Sequence, residues 1–148
     1  MSVDFQKKYL KKNNIDFNFI ADLVSKNNLE NLSKCKDKLN ALDSIFQIKQ
    51  AQKDHRLFII FNRLNNDFNP TNRESDISIF FSMMSGSSGA QHVDEESVHI
   101  IGLYGMTAYL IEDKVFIINP GDRLFISKGI PHKAVSLSPR IVLSYGIY

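Results

Sequence analysis

A chain of 148 residues, 43% apolar and 23% charged, has the make-up of a soluble globular domain and enough length to bury a core without disulfides. Eighteen Lys and Arg against 16 Asp and Glu leave a net charge of +2, too even a balance to argue for a nucleic-acid partner. No apolar run approaches the roughly 20 residues that cross a bilayer, the N-terminus lacks the apolar stretch of a secretion signal, and the single cysteine, Cys35, excludes an internal disulfide and fits a reducing, cytoplasmic setting.

Residues 1 to 54 contain neither Gly nor Pro, and their apolar residues recur at helical spacing. Phe17, Ile20, Leu23 and Val24 mark one face; Leu29, Leu32, Cys35, Leu39, Leu42 and Phe46 mark another beyond Asn27-Asn28. This pattern predicts a helical N-terminal segment whose stripes pack on something downstream. Lys7, Lys8, Lys11 and Lys12, flanked by Asp4 and Asp16, read as a solvated helix face.

From Leu57 the texture changes. Leu57-Phe58-Ile59-Ile60-Phe61 has high strand propensity, and the polar stretch from Asn62 to Ser75 reads as a long loop. Strand-like runs then follow at Ile77–Met83, Val98–Leu103, Thr107–Ile111, Val115–Ile118, Leu124–Ile126 and Ile141–Tyr148, with Gly, Pro and Asp in the turns between them. Closely spaced short strands predict an all-β barrel or sandwich over residues 55–148, in one domain with the helical segment.

Within that barrel, Gly89-Ala90-Gln91-His92-Val93-Asp94 sets His92 and Asp94 two residues apart. On a strand the two side chains project to the same face. His132, after the tight turn Ser127-Lys128-Gly129-Ile130-Pro131, is the natural third member of a set of two imidazoles and one carboxylate. Such a set holds a divalent ion and leaves coordination positions open, as suits a ferrous centre. Glu95-Glu96 is not read as an acid/base pair, because neighbours on a strand face opposite ways. Ser85-Gly86-Ser87-Ser88-Gly89 lacks the Gly-Lys-Ser/Thr of a phosphate loop.

The frame around these residues is specific. Gly86 precedes His92 by six, Gly105 follows it by thirteen, and Pro120-Gly121-Asp122 leads to Gly129-Ile130-Pro131-His132. This resembles the two motifs of the cupin superfamily across residues 75 to 148, departing at Ser127, where Pro is usual, and at Ser136, where Asn is common. The resemblance implies a mostly β fold, the double-stranded β-helix (a jelly-roll barrel), with His92, Asp94 and His132 as metal ligands and catalytic centre.

The version looks similar to the JmjC-related, cupin-like oxygenases, which use Fe(II) or a similar divalent metal and 2-oxoglutarate to hydroxylate a C–H bond. That likeness places the cosubstrate near Thr107 and Tyr109. Many of these enzymes carry Lys or Arg where this chain has Thr107, so a cation must come from elsewhere, with Arg140 or Arg123 as candidates. His99, seven after His92, stands where ordinary small cupins often have a fourth ligand; in the JmjC-like register it points away. Three functions stay open: a 2-oxoglutarate oxygenase acting on a small molecule or peptide, a metal-dependent cupin dioxygenase or isomerase without 2-oxoglutarate, and a non-catalytic binding module. Apolar outer strands are compatible with a homodimer.

Overall fold

The computed structural model describes residues 3–11, 13–26, 30–31 and 45–148. Among the described residues, ten strands and two α-helices follow in chain order: β1 (Val3–Gln6), α1 (Phe17–Lys26), β2 (Glu30–Asn31), β3 (Ile45–Ile48), α2 (His55–Phe68), β4 (Ser75–Ser82), β5 (Val98–Tyr104), β6 (Thr107–Ile111), β7 (Lys114–Ile118), β8 (Arg123–Ile126), β9 (His132–Ser136) and β10 (Arg140–Ile147). All pairings are antiparallel. The seven-stranded sheet runs β1-β8-β5-β10-β4-β3-β2, and the three-stranded sheet runs β7-β6-β9.

Strand alternation gives the large sheet two different faces. Odd-numbered residues Ile77, Ile79 and Phe81 of β4, Ile101 and Leu103 of β5, and Ile141, Leu143 and Tyr145 of β10 pack in one core with Ile20 and Leu23 of α1 and Leu57 and Leu64 of α2. Even-numbered Val98, Ile100 and Val142 face the small sheet, where Tyr109, Ile111 and Ile118 meet them. The helices therefore cover the outside of the large sheet, and the space between the sheets is left for the site.

The strand expected at Leu57–Phe61 is instead the first half of α2. Asp54 caps it, its Oδ1 accepting from the Arg56 N–H at 2.9 Å. Apolar residues at 57, 60, 61, 64 and 68 then form a helical stripe, while Phe58 and Ile59 are 44% and 72% exposed, which no core strand would allow. The helix also takes in most of the expected loop, leaving 69–74 as the connection. Two segments expected in the helical region, Val3–Gln6 and Ile45–Ile48, are strands of the large sheet. Of the second predicted helical stripe, Leu29, Leu32, Cys35, Leu39 and Leu42 lie outside the described residues, and Phe46 is in β3.

Gly105, in the β5–β6 turn, has φ +67, and a Cβ there would collide with the Pro139 carbonyl oxygen. Only glycine fits the close approach of the two turns at this end of the barrel. Among the described residues no helix is long and apolar enough to cross a membrane.

Candidate metal centre

Three side chains converge at one end of the space between the sheets. His132 opens β9 and is buried; Asp94 is half-buried; His92 is exposed at the mouth. His92 lies not in a long strand but in an extended segment bridged to β9. Its N–H donates to the His132 carbonyl at 3.0 Å, and the His132 N–H donates back to its own carbonyl at 2.9 Å. This reciprocal pair sets the imidazole centroids 4.3 Å apart.

The ring orientations are also fixed. Nδ1 of His92 lies 3.1 Å from the Ala90 carbonyl and Nδ1 of His132 lies 2.9 Å from the Ile130 carbonyl. Each carbonyl two residues upstream thus takes an Nδ1–H, which leaves the Nε2 lone pair directed inward. Nε2 of His132 stands 3.2 Å from Asp94 Oδ2, and Nε2 of His92 stands 3.7 Å from Asp94 Oδ1. One donor atom from each of the three residues lies within 4.8 Å of the others, a spacing that a single ion with bonds of about 2.0–2.2 Å can close.

The charges suit a cation. Hydrogen bonding to His132 holds the Asp94 carboxyl below its usual range, against the opposing effect of burial. Burial pulls the His132 pKa down, but Asp94 and the Ile130 carbonyl outweigh it and the net direction is up. Without a metal, Asp94 and a proton on His132 satisfy one another; an ion would replace that proton.

A cavity of about 680 Å³ opens beneath the three ligands, lined by even-numbered residues of β4 and β10 together with Tyr109, Ala134 and Ile100. Arg140 sits in its wall, 1% exposed. Its Nε donates to Ser82 Oγ at 3.1 Å and its guanidinium hydrogen-bonds to the Tyr109 hydroxyl. No carboxylate among the described residues forms an ion pair with it. Burial pushes its pKa down, yet an arginine stays charged in proteins. Thr107 Oγ1, fully buried on the same face of β6 as Tyr109, has no hydrogen-bond partner among the described residues.

His99 is a correction to the expected ligand set. It is an odd-numbered residue of β5, so its ring lies on the helix side, stacked on Phe68 of α2 at 4.2 Å. Its Nδ1 is 3.0 Å from Arg123 Nη1, and burial with the Arg123 charge lowers its pKa to about 4. Arg123 is held on that side too, by Asp4 at 2.6 Å and Gln6 at 3.1 Å. Neither residue lines the cavity under the ligands. Sequence reasoning missed Gln47, Ser78 and Ser144 as cavity residues; the alternation of β4 and β10 carries the only signal for the two serines, and β3 is too short to give one for Gln47.

The closed pair of sheets, with helices on one side, has counterparts among solved structures. The ribosomal oxygenase YcfD from Escherichia coli, in complex with cobalt and succinic acid, superposes with TM-score 0.80 at 18% identity over 99% of this chain and 48% of that one. The two chains share one fold, a double-stranded β-helix flanked by helices. A YcfD structure with cobalt and 2-oxoglutarate matches with TM-score 0.63 at 23% identity over 71% of this chain and 32% of that one. The chain spans about half the length of YcfD. No protein-family model and no curated protein sequence matches it.

Proposed function

We propose that the chain is a metal-dependent oxygenase that binds Fe(II) through His92, Asp94 and His132 and uses 2-oxoglutarate as cosubstrate. The carrying observation is Arg140, a buried guanidinium without a carboxylate partner among the described residues, in the same cavity as His92, Asp94 and His132. An unpaired buried charge costs several kcal/mol, and a fold keeps one where an anion comes to it. Tyr109 adds a hydrogen-bonding hydroxyl in the same cavity, as a carboxylate needs, whereas Thr107, expected beside the cosubstrate, is not among the residues that line it.

The donor set fits a non-haem ferrous ion, because three protein ligands on one face leave sites for cosubstrate and oxygen. When bound, the metal and 2-oxoglutarate supply the oxidising power for hydroxylation. The protein's part is to hold both imidazoles in the tautomer that frees Nε2, to anchor the far carboxylate on Arg140, and to keep bulk water from the cavity floor. That YcfD was solved with cobalt and with 2-oxoglutarate or succinic acid supports the reading.

Thr107, where related enzymes often carry a cation, favours a second reading: a metal-dependent cupin enzyme that does without 2-oxoglutarate. Anaerobic titration separates the two. With Fe(II) bound, added 2-oxoglutarate should produce a metal-to-ligand charge-transfer band. One equivalent of bound iron with no such band would shift the assignment to the second reading, and no bound metal at all would leave a binding module.

A further inference from the structure

A second cavity, of about 780 Å³, opens on the outer face of the large sheet, and none of His92, Asp94 and His132 lines it. Strand alternation puts it there. His99 of β5 and Arg123 of β8 form its floor, while Ile100, one residue on from His99, faces the metal cavity. Phe68 of α2, Phe125 of β8 and Ile147 of β10, all half-buried, give it apolar walls. Glu96 and Tyr148 line both cavities and form the partition between them.

His99, 7% exposed, fixes what the floor asks for. Its Nδ1 lies 3.0 Å from Arg123 Nη1, and a guanidinium can only donate, so Nδ1 carries the lone pair. Burial and the Arg123 charge hold the ring pKa at about 4, so at neutral pH the single ring proton sits on Nε2. That Nε2–H has no hydrogen-bond partner among the described residues. It is not sealed in either, because among those residues Thr107 Oγ1 is the one fully buried side-chain polar atom left unpartnered. A rigid donor therefore faces the second cavity and lacks an acceptor.

Charges of both signs surround it. Arg73, Arg123 and Lys128 stand against Asp4, Glu95 and Glu96, and only Arg123 and Asp4 are joined, at 2.6 Å. Arg73, Lys128, Glu95 and Glu96 make no ion pair with any described residue. Opposite charges thus share one cavity without meeting. A simple anion would face Glu95 and Glu96, and a simple cation would face Arg73, Lys128 and the His99 N–H. An occupant that carries both a carboxylate and an ammonium complements every one of these groups and adds no net charge.

We infer that this cavity is a second binding site, for a small zwitterion of the amino-acid class with an apolar side chain. The carboxylate accepts from His99 Nε2–H and is drawn by Arg73 and Lys128, the ammonium meets Glu95 and Glu96, and the side chain lies against Phe68, Phe125 and Ile147. The site is separate from the metal ligands and does not rest on the oxygenase reading.

The test is an NMR titration of the full chain with L-leucine, run in EDTA so that leucine cannot act through a metal. Isocaproate, which is leucine without its ammonium, and isoamylamine, which is leucine without its carboxylate, serve as controls. Saturable shifts should centre on Glu95, Ser97, His99 and Phe125 and leave Ser78 and Ser144 of the metal cavity unmoved. Each control should bind about five- to tenfold more weakly than leucine. E95Q should weaken leucine and isoamylamine by about two- to fivefold and leave isocaproate unchanged; K128Q should weaken leucine and isocaproate and leave isoamylamine unchanged. H99F, which removes the floor donor, should weaken leucine by about tenfold. Glu95 and Lys128 are exposed, so E95Q and K128Q decide the matter if H99F does not fold. No saturable shift, shifts centred on the metal cavity, or equal binding of leucine and isocaproate would overturn the zwitterion site.

Discussion

The backbone N–H of Gly129 donates to the carbonyl of Asp94 at 3.0 Å. The turn that launches the distal histidine is thereby tied to the residue that supplies the carboxylate. Gly129 has φ +78 with no atom within 4 Å of where a Cβ would stand, so its importance is conformational and not a matter of crowding. Replacing it by alanine should cost about 1–2 kcal/mol through the left-handed backbone. A melting temperature lowered by several degrees, together with weaker Co(II) binding, is the expected result. An unchanged melting curve would show that the turn tolerates a side chain.

Asp94 is the only anionic member of the ligand set. D94A should reduce affinity for Mn(II) or Co(II) by about 100-fold or more, given that even residues supporting a ligand are worth 10–100-fold. Calorimetric titration reads this directly, and undiminished affinity would remove Asp94 from the centre.

Arg140 sets function against stability. R140M removes a buried, uncompensated charge while keeping most of the volume, so the ligand-free protein should melt at the same or a higher temperature than wild type. Affinity for 2-oxoglutarate should fall by about 10- to 100-fold, the range for lost charge-assisted hydrogen bonds, while metal affinity holds. A large drop in ligand-free stability would mean that the guanidinium is internally compensated.

Thr107 offers a cleaner version of the same argument. T107V keeps the shape and deletes the unsatisfied hydroxyl, so ligand-free stability should rise by about 1 kcal/mol. A fall on chemical denaturation would reveal a partner for that hydroxyl in solution.

His99 makes stability depend on acid. In the folded protein its pKa is about 4, against 6.5 ordinarily, so between these values the unfolded chain binds the extra proton. Its contribution is complete above pH 6.5 and is lost as pH falls toward 4. His132, whose pKa moves up in the metal-free protein, acts in the opposite sense, so the diagnostic quantity is the difference between wild type and H99Q. The variant should be less stable at neutral pH and show a flatter decline from pH 6.5 to 4; parallel curves would place the titration elsewhere.

What could be read in the chain was whatever is local. His92, Asp94 and His132 lie in short motifs with turn glycines and prolines, and β4 to β8 and β10 announce themselves by apolar runs between turns, whereas β9, His-Lys-Ala-Val-Ser, has no such run. Leu57–Phe61 misled because five consecutive apolar residues carry no period; the helical repeat appears only once Leu64 and Phe68 are included with the Asp54 cap. Val3–Gln6 and Ile45–Ile48 are four-residue strands at or near the sheet edges, too short for alternation to show. The face taken by His99 depended on the phase of β5, which the metal motif alone does not set. That Arg140 lacks a counter-ion is a property of packing, visible only when its neighbours are in place.

The pairing of Val3–Gln6 with Arg123–Ile126 joins segments more than a hundred residues apart in one sheet, and His132 comes later still. During synthesis the first strand therefore emerges long before it has an edge to join, and His92 and Asp94 emerge before the imidazole that completes their set. Contacts so distant in sequence slow folding. The candidate metal set is completed late, after β9 has docked, and a nascent or truncated chain ending before Pro131 would hold the large sheet through β8 in sequence yet lack β10 at its centre and the third member of that set.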